Sequence, residues 1–206
     1  MSLVAHAAEA IAAAKLECST LPLEIFQVEG MSSRKIRILL NEICAFQGCN
    51  YLEVGAFKGS TILAASYKNP GQFVTIDNFS QFGGPKQEFL QNQNRFYKEC
   101  RFALLEQNVW EVAPEAIAPI NVFFYDGNHQ EEDQFRAFLY FDRALSDDFI
   151  AIVDDWNVPE VRRGTHSAFA QLQYKVVKDW ALHSKCHTDP ADWWNGLYVA
   201  VIQKPF

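Results

Sequence analysis

The sequence predicts a doubly wound α/β sheet of about seven strands, mostly parallel and ending in an antiparallel hairpin. Three observations carry this. From residue 50 onward short apolar runs alternate with helical stretches, the runs are almost continuously apolar, and 206 residues supply one sizeable core but not two. Continuous apolarity belongs to parallel strands covered by helices on both faces.

Residues 3–17 read as an alanine-rich helix. SSRKIRILLNEICAF from Ser32 reads as a second, with Ile36, Leu39, Leu40 and Ile43 as its apolar stripe and with Pro22 and Gly30 breaking the pattern between the two. The strands then follow as NYLEVG (50–55), QFVTIDNF (72–79), RFALLEQ (101–107), NVFFYDG (121–127) and FIAIVDDW (149–156). EEDQFRAFLYFDRAL is the clearest helix: Phe135, Phe138, Leu139 and Leu145 share a face, and an acidic first turn suits the positive end of the helix dipole. NVPEVRRGTHSAF enters another helix near Pro159. The tail leaves this rhythm, with YKVVKDWALH and GLYVAVIQK as two strands joined by SKCHTDPADWWN.

A net charge of -7 speaks against a phosphate-backbone partner, because an acidic surface repels nucleic acid. A small-molecule partner fits better. Five scattered cysteines with no C-x-x-C pair imply neither a disulfide framework nor a zinc ribbon, and point to a reducing compartment. The alanine-rich start lacks a basic leader, carries Glu9 and Lys15, and is too short in apolar run to span a bilayer. Cytoplasmic location without membrane contact is the expectation.

Ligands of an open parallel sheet bind beyond the carboxyl ends of its strands. Those ends are acidic here: Glu53, Asp77, Glu106, Asp126, then Asp154 with Asp155. In YLEVGAFKGST, Gly55 and Gly59 allow a tight turn and close backbone approach, with helix amides exposed from about Ser60. The middle glycine of G-x-G-x-x-G is missing and no lysine follows the second glycine, so a pyrophosphate fits poorly. A bare tight connection is the bland alternative. Asp77, about twenty residues on, is placed to accept hydrogen bonds from both hydroxyls of a ribose, which favours an adenosine-bearing ligand over a simple turn with Asn78.

From about residue 50 to its end the chain resembles class I S-adenosylmethionine-dependent methyltransferases, which have a Rossmann-like sheet. LEVGAFKGST is especially similar to the cofactor loop of the metal-dependent catechol type. The resemblance divides the chain into an N-terminal helical cap (1–46) and a methyltransferase domain (47–206). It implies that Glu53 and Gly55 face the methionine end of the cofactor, that Gly59 with Ser60 or Thr61 lies near its carboxylate, that Asp77 holds the ribose, and that Asn108 and Trp110 meet the adenine. FYDGNH and VDDWN match the two halves of the divalent-metal site of these enzymes, making Asp126, Asp154 and Asp155 ligands of Mg²⁺ or Ca²⁺ and setting Asp126 beside the cofactor as well. Three nearby carboxylates repel one another unless a cation stands between them.

His129 stands three residues after Asp126, where the catechol type carries a basic lysine, and is the expected general base. The related antibiotic-sugar enzymes place an aspartate two positions after the first ligand; Asn128 there cannot act as base. The expected reaction is methyl transfer to a hydroxyl of a small polyol, sugar or catechol-like acceptor, with the N-terminal helices covering the acceptor side or mediating self-association as a homodimer. A nicotinamide-linked oxidoreductase and a non-catalytic cofactor-binding protein are the alternatives. Arg162, Arg163 and His166 read as a solvated helix face or as a hold on an acidic substrate group; Trp193 and Trp194 as an aromatic slot or a plug; Trp156 and Asn157 as neighbours of the metal pair. His183, Cys186 and His187 match no closed zinc site.

Overall fold

The computed structural model describes residues 2–205. Three helices come first: α1 (Leu3–Lys15), the single turn α2 (Leu23–Phe26) and α3 (Arg34–Ile43). Then come β1 (Asn50–Val54), α4 (Ser60–Ser66), β2 (Gln72–Ile76), α5 (Lys86–Arg95), β3 (Ala103–Leu105), β4 (Ile120–Tyr125), α6 (Glu131–Phe141), β5 (Leu145–Asp154), α7 (Pro159–Gln171), β6 (Lys175–Leu182) and β7 (Leu197–Gln203). The seven strands form one sheet in the order β3-β2-β1-β4-β5-β7-β6. The first five are parallel, and β7 runs antiparallel between β5 and β6, as the sequence predicts.

Strand pleating sends alternate residues into two cores. Tyr51, Val122, Phe124, Ile150, Ile152 and Val199 face the side covered by α1, α3 and α4. Leu52, Val54, Phe123, Tyr125, Ala151 and Val153 face the side of α6 and α7. With both faces covered, a continuous apolar run is the only pattern that pairs and buries. Helices α1 and α3 thus share a core with the sheet, with Ala7, Ala10, Ile11 and Ala14 packed on the stripe of Ile36, Leu39, Leu40 and Ile43. Small alanines let the two helices approach closely, and Ser33 caps α3 by accepting from the Ile36 amide at 3.3 Å.

Several expected boundaries move, two of them for a side-chain reason. Helix α6 stops at Phe141, a 3-10 turn spans Asp142–Ala144, and Leu145 is already in the ladder opposite Ile120. Asp142 fixes this turn, because it pairs with Lys204 at 3.1 Å and accepts from the Tyr174 hydroxyl. Strand β2 leaves the ladder at Ile76, since the carboxylate of Asp77 takes the amides of its own loop and of the loop after β1.

Between α2 and α3 the chain is pinned by one buried cation. Arg37 is 4% exposed; its Nη1 donates to the carbonyls of Ile25, Phe26 and Val28 at 3.0, 3.1 and 2.8 Å, and its Nε donates to Ser32 Oγ at 3.0 Å. Burial pulls its pKa down to about 10, so it remains charged at neutral pH. The pinned strap lies on the turn after β1: Ser32 and Ser60 share a hydrogen bond at 3.3 Å, Lys58 pairs with Glu29 at 2.8 Å, and a Cβ on Gly30 would meet Ser60 Oγ at 2.0 Å. Arg37→Ala is expected to orphan three carbonyls and to destabilise the protein by about 3 kcal/mol in urea unfolding, with Met31 losing its place beside the cleft.

Candidate functional site

Sheet order reverses between β1 and β4, and a cleft of about 430 Å³ opens beyond their carboxyl ends. Gly55, Phe57, Asp77, Asn108, Trp110, Asp126 and His129 all line it. These come from four connections, after β1, β2, β3 and β4, which explains why residues 74 positions apart in sequence meet.

The turn after β1 is built by two glycines with different duties. Gly55 has φ +97, and a Cβ on it would stand 2.0 Å from the carbonyl oxygen of Asp126. Only glycine lets β1 turn away this close to β4. Gly59, at φ +88, starts α4, and a Cβ there would press on the Phe89 ring at 3.2 Å. It is covered by Phe89 and does not line the cleft.

Glu53, Ser60 and Thr61 also stand apart from the cleft lining. Glu53 is wholly buried and accepts from the hydroxyls of Tyr51 at 2.7 Å, Thr61 at 3.1 Å and Thr75 at 3.4 Å. Burial pushes its carboxyl up to about 8, against the pull of the three hydroxyl donors, and the nearby charge of Asp77 adds to the rise. The hydroxyl of Ser60 is turned to Ser32. These three groups hold the turn from beneath, a role that the resemblance does not assign them.

Asp77 Oδ2 accepts from the amides of Ala56 and Phe57 at 2.8 and 2.9 Å, and its Oδ1 from Phe79 at 2.7 Å. One carboxylate thus ties the loops after β1 and β2 together at the cleft wall, with one lone pair of Oδ1 left open to a ligand. Asn108 caps the 3-10 turn Val109–Glu111 by accepting from the Trp110 amide at 3.0 Å. The indole of Trp110 is held in place by the Arg136 guanidinium 4.1 Å from its ring centre and by the edge of Tyr140. Glu106 points away into an exposed pair with Lys86 at 2.7 Å.

Beyond β4 and β5 the acidic groups divide. The carboxyl groups of Asp126 and Asp154 meet; burial and the charges of Asp154 and Asp155 raise Asp126 well above the carboxylate range, while burial and the charge of Asp155 raise Asp154 to about 7 against the pull of its bond with Asp126. Asp155 differs. Its Oδ2 lies 2.9 Å from His129 Nε2, and this hydrogen bond overrides burial to hold its pKa below the ordinary value. His129 moves the other way, since the bond and the charges of Asp155 and Asp154 outweigh the burial that opposes its cation.

The expected three-carboxylate metal site can now be tested against the donors. Asp154 and Asp155 each bury an Oδ1 without a hydrogen-bond partner, and two touching carboxyls require either a shared proton or a cation between them. That fits a hard divalent ion held by Asp126 and Asp154, since Mg²⁺ commonly takes one or two carboxylates and keeps its other positions for water or substrate oxygens. Asp155 has only its Oδ1 left for such an ion, because its Oδ2 is held by His129 Nε2. Among the described residues no three His, Cys, Asp or Glu side chains form a ready cage.

The remaining sequence candidates lie outside the cleft lining. Arg162 donates to the carbonyls of Trp156 and Asn157 at 2.7 and 3.0 Å, and Arg163 forms exposed pairs with Glu131 and Glu160. Trp156 stacks on Tyr198 at 3.9 Å with the His166 ring at its edge. His183 bonds Asn157 at 2.9 Å, Trp193 is buried in the core, and Trp194 packs against that core. Sequence reading missed Met31, Phe79 and Phe82, which line the cleft from the strap and from the loop after β2. Two glycines following Phe82 in NFSQFGGP were the available signal, since they mark an exposed turn carrying a large apolar side chain.

No protein-family model and no curated protein matches this sequence. Solved structures do match in shape. An O-methyltransferase from Bacillus cereus in complex with SAH superposes with a TM-score of 0.58 at 14% identity, covering 98% of this chain and 91% of that one. A proposed caffeoyl-CoA O-methyltransferase from Staphylococcus aureus gives 0.62 at 15% over 97% and 99%. A proposed RNA methyltransferase from Pyrococcus horikoshii gives 0.62 at 12% over 89% and 96%. The chain has the class I methyltransferase fold, and at such identities the likeness speaks for fold alone.

Two outcomes follow from the buried groups. The folded chain keeps a proton on Glu53 that the unfolded chain releases, so the contribution of Glu53 to stability is full below about 4.5 and declines as pH rises toward about 8. Glu53→Gln should flatten that decline in thermal melts between those pH values, whereas Glu53→Ala should destabilise throughout by leaving three hydroxyls unpaired. Gly55→Ala should lower stability by about 2 kcal/mol or more, through its left-handed φ and its clash with the Asp126 carbonyl.

Proposed function

We propose that this protein transfers a methyl group from S-adenosylmethionine to a hydroxyl of a small molecule, with a divalent cation beside the acceptor. The observation that carries the reading is the convergence of the Gly55 turn, Asp77, Trp110, Asp126 and His129 on one cleft at the point of sheet reversal. A carboxylate for a ribose, an aromatic face for a base, and a charged edge for a reacting hydroxyl are then present in one volume. The net charge of -7 favours a small acceptor over RNA, although one structural neighbour is a proposed RNA methyltransferase.

In this reading the sulfonium makes the methyl group reactive, and the protein's work is to align the acceptor and remove its proton. Asp77 offers the open lone pair of its Oδ1 to the ribose while its bound amides keep the loops from moving. Trp110, fixed by Arg136 and Tyr140, presents a flat face to adenine. The glycine at 55 keeps the turn beside β4 free of a side chain, and His129 accepts the acceptor's proton. Asp126 and Asp154 would hold Mg²⁺ or Ca²⁺, which when bound supplies positive charge that eases loss of a hydroxyl proton. The strap carrying Met31 and the loop carrying Phe82 cover the outer side of the cleft.

Isothermal titration calorimetry with SAH tests the reading directly. Saturable binding is expected, weakened at least tenfold (about 1.4 kcal/mol) by Asp77→Ala; absence of binding to the folded wild type would sink the proposal. Mg²⁺ added to the wild type should raise its melting temperature, and Asp154→Asn should remove most of that rise while leaving SAH affinity within about twofold.

A further inference from the structure

The loop after β2 carries a bare aromatic ring to the edge of the cleft. Phe82 lines the cleft and is nevertheless 66% exposed. Its ring meets that of Phe57 edge to face, with centres 5.6 Å apart, and the rest of it stands in water. A large apolar side chain held in this way at the mouth of a cavity of about 430 Å³ gains by being covered, and a ligand in the cavity would supply the cover.

The loop is fixed at its feet and free at its tip. At one foot Phe79 is buried with its ring 5.4 Å from that of Phe89, and its amide donates to Asp77 Oδ1 at 2.7 Å. At the other foot Pro85 is buried, and its carbonyl accepts from the Phe89 amide at 3.0 Å as α5 begins. Between them Ser80, Gln81, Phe82, Gly83 and Gly84 are all exposed, in a turn closed by the Gly84 amide donating to the Gln81 carbonyl at 3.0 Å. Gly83 and Gly84 take left-handed φ values of 78 and 74. A Cβ on Gly83 would meet nothing within 4 Å, and one on Gly84 only the Phe79 carbonyl oxygen at 3.5 Å. Backbone freedom is thus concentrated next to Phe82, with no packing to restrain it. The strap carrying Met31 is the opposite case, tied by Arg37 to three carbonyls and by Ser32 to Ser60.

Resting on the reading of the cleft as a site for S-adenosylmethionine, we infer that residues 81–84 are a flap that folds the Phe82 ring over the bound cofactor, with the Met31 strap as its fixed counterpart. Closure buries the ring between the ligand and Phe57 and turns an open cleft into a covered one, which keeps water from the reacting centre. A cap that closes after the ligand has entered adds contacts to the complex and none to the encounter, so Phe82 acts on release far more than on capture. The foot of the flap is held by Asp77, which lines the same cleft, so the loop moves about a point that the ligand itself touches.

Stopped-flow fluorescence with SAH measures association and dissociation separately. Phe82→Ala should speed dissociation about tenfold (about 1.4 kcal/mol), keep association within about twofold, and leave the melting temperature of the ligand-free protein unchanged; Phe82→Leu, still apolar, should recover most of the slow release. Hydrogen–deuterium exchange on the wild type should show residues 80–84 exchanging freely without ligand and protected when SAH is saturating. Dissociation of Phe82→Ala within about twofold of the wild type, or exchange at residues 80–84 that SAH does not slow, would each overturn the flap. A fall in the melting temperature of ligand-free Phe82→Ala would do the same, by making the ring a packing residue. The exchange data on the wild type decide the matter if the variant fails to fold. SAH binding with unaltered release removes the flap and leaves the methyl-transfer reading standing, whereas a folded wild type that binds no SAH removes both.

Discussion

The carbonyl of Asp126 stands where a side chain on residue 55 would have to be, and the cleft depends on that exclusion. Because Gly55 has no Cβ, β1 can turn off the sheet directly against the end of β4. The same contact brings the carboxylates that follow β4 and β5 to the edge of the cleft. A larger residue at 55 would separate the two halves of the site, however well each folded alone. The glycine is a packing requirement first, and the open turn is its consequence.

Around that contact the protein buries an unusual amount of acid, and each carboxylate is handled differently. Glu53 is neutralised by burial among three hydroxyl donors. Asp77 collects three backbone amides, which makes it the tie between two loops. Asp155 is matched to an imidazole. Only Asp126 and Asp154 are left facing each other, with repulsion that a proton or a cation must relieve. Partner chemistry, and not burial alone, decides which acids form the frame and which stay reactive.

The structural likenesses fit this division. Chains that share the sheet and about one residue in seven include an O-methyltransferase and a proposed RNA methyltransferase, so the fold is common to them. Here one wall of the cleft is made by the strap of Met31 and the loop of Phe82, both seated on the turn after β1 through Ser32, Lys58 and Asp77. The turn after β1 and this wall are thus one packed unit, which gives the N-terminal helices a direct mechanical link to the cleft.

The sequence by itself determined the sheet, its parallel order and the acidic strand ends, because apolar runs such as NVFFYDG and FIAIVDDW have one stable use, and a chain must place its polar residues where such runs stop. It also singled out Gly55, Asp77, Asn108, Trp110, Asp126 and His129, all of which line the cleft. What it could not determine was direction within a tight turn. Glu53, Ser60 and Thr61 sit in the same motif yet face inward, a choice made by the pleat of β1 and by the strap above Ser60. Nor could it pair Asp155 with His129, since that hydrogen bond spans two loops whose meeting is set by the β4–β5 register and by the clamp from Asn195 and Gly196. Local pattern fixes which residues lie at the rim; only the packed fold fixes which partner each one finds.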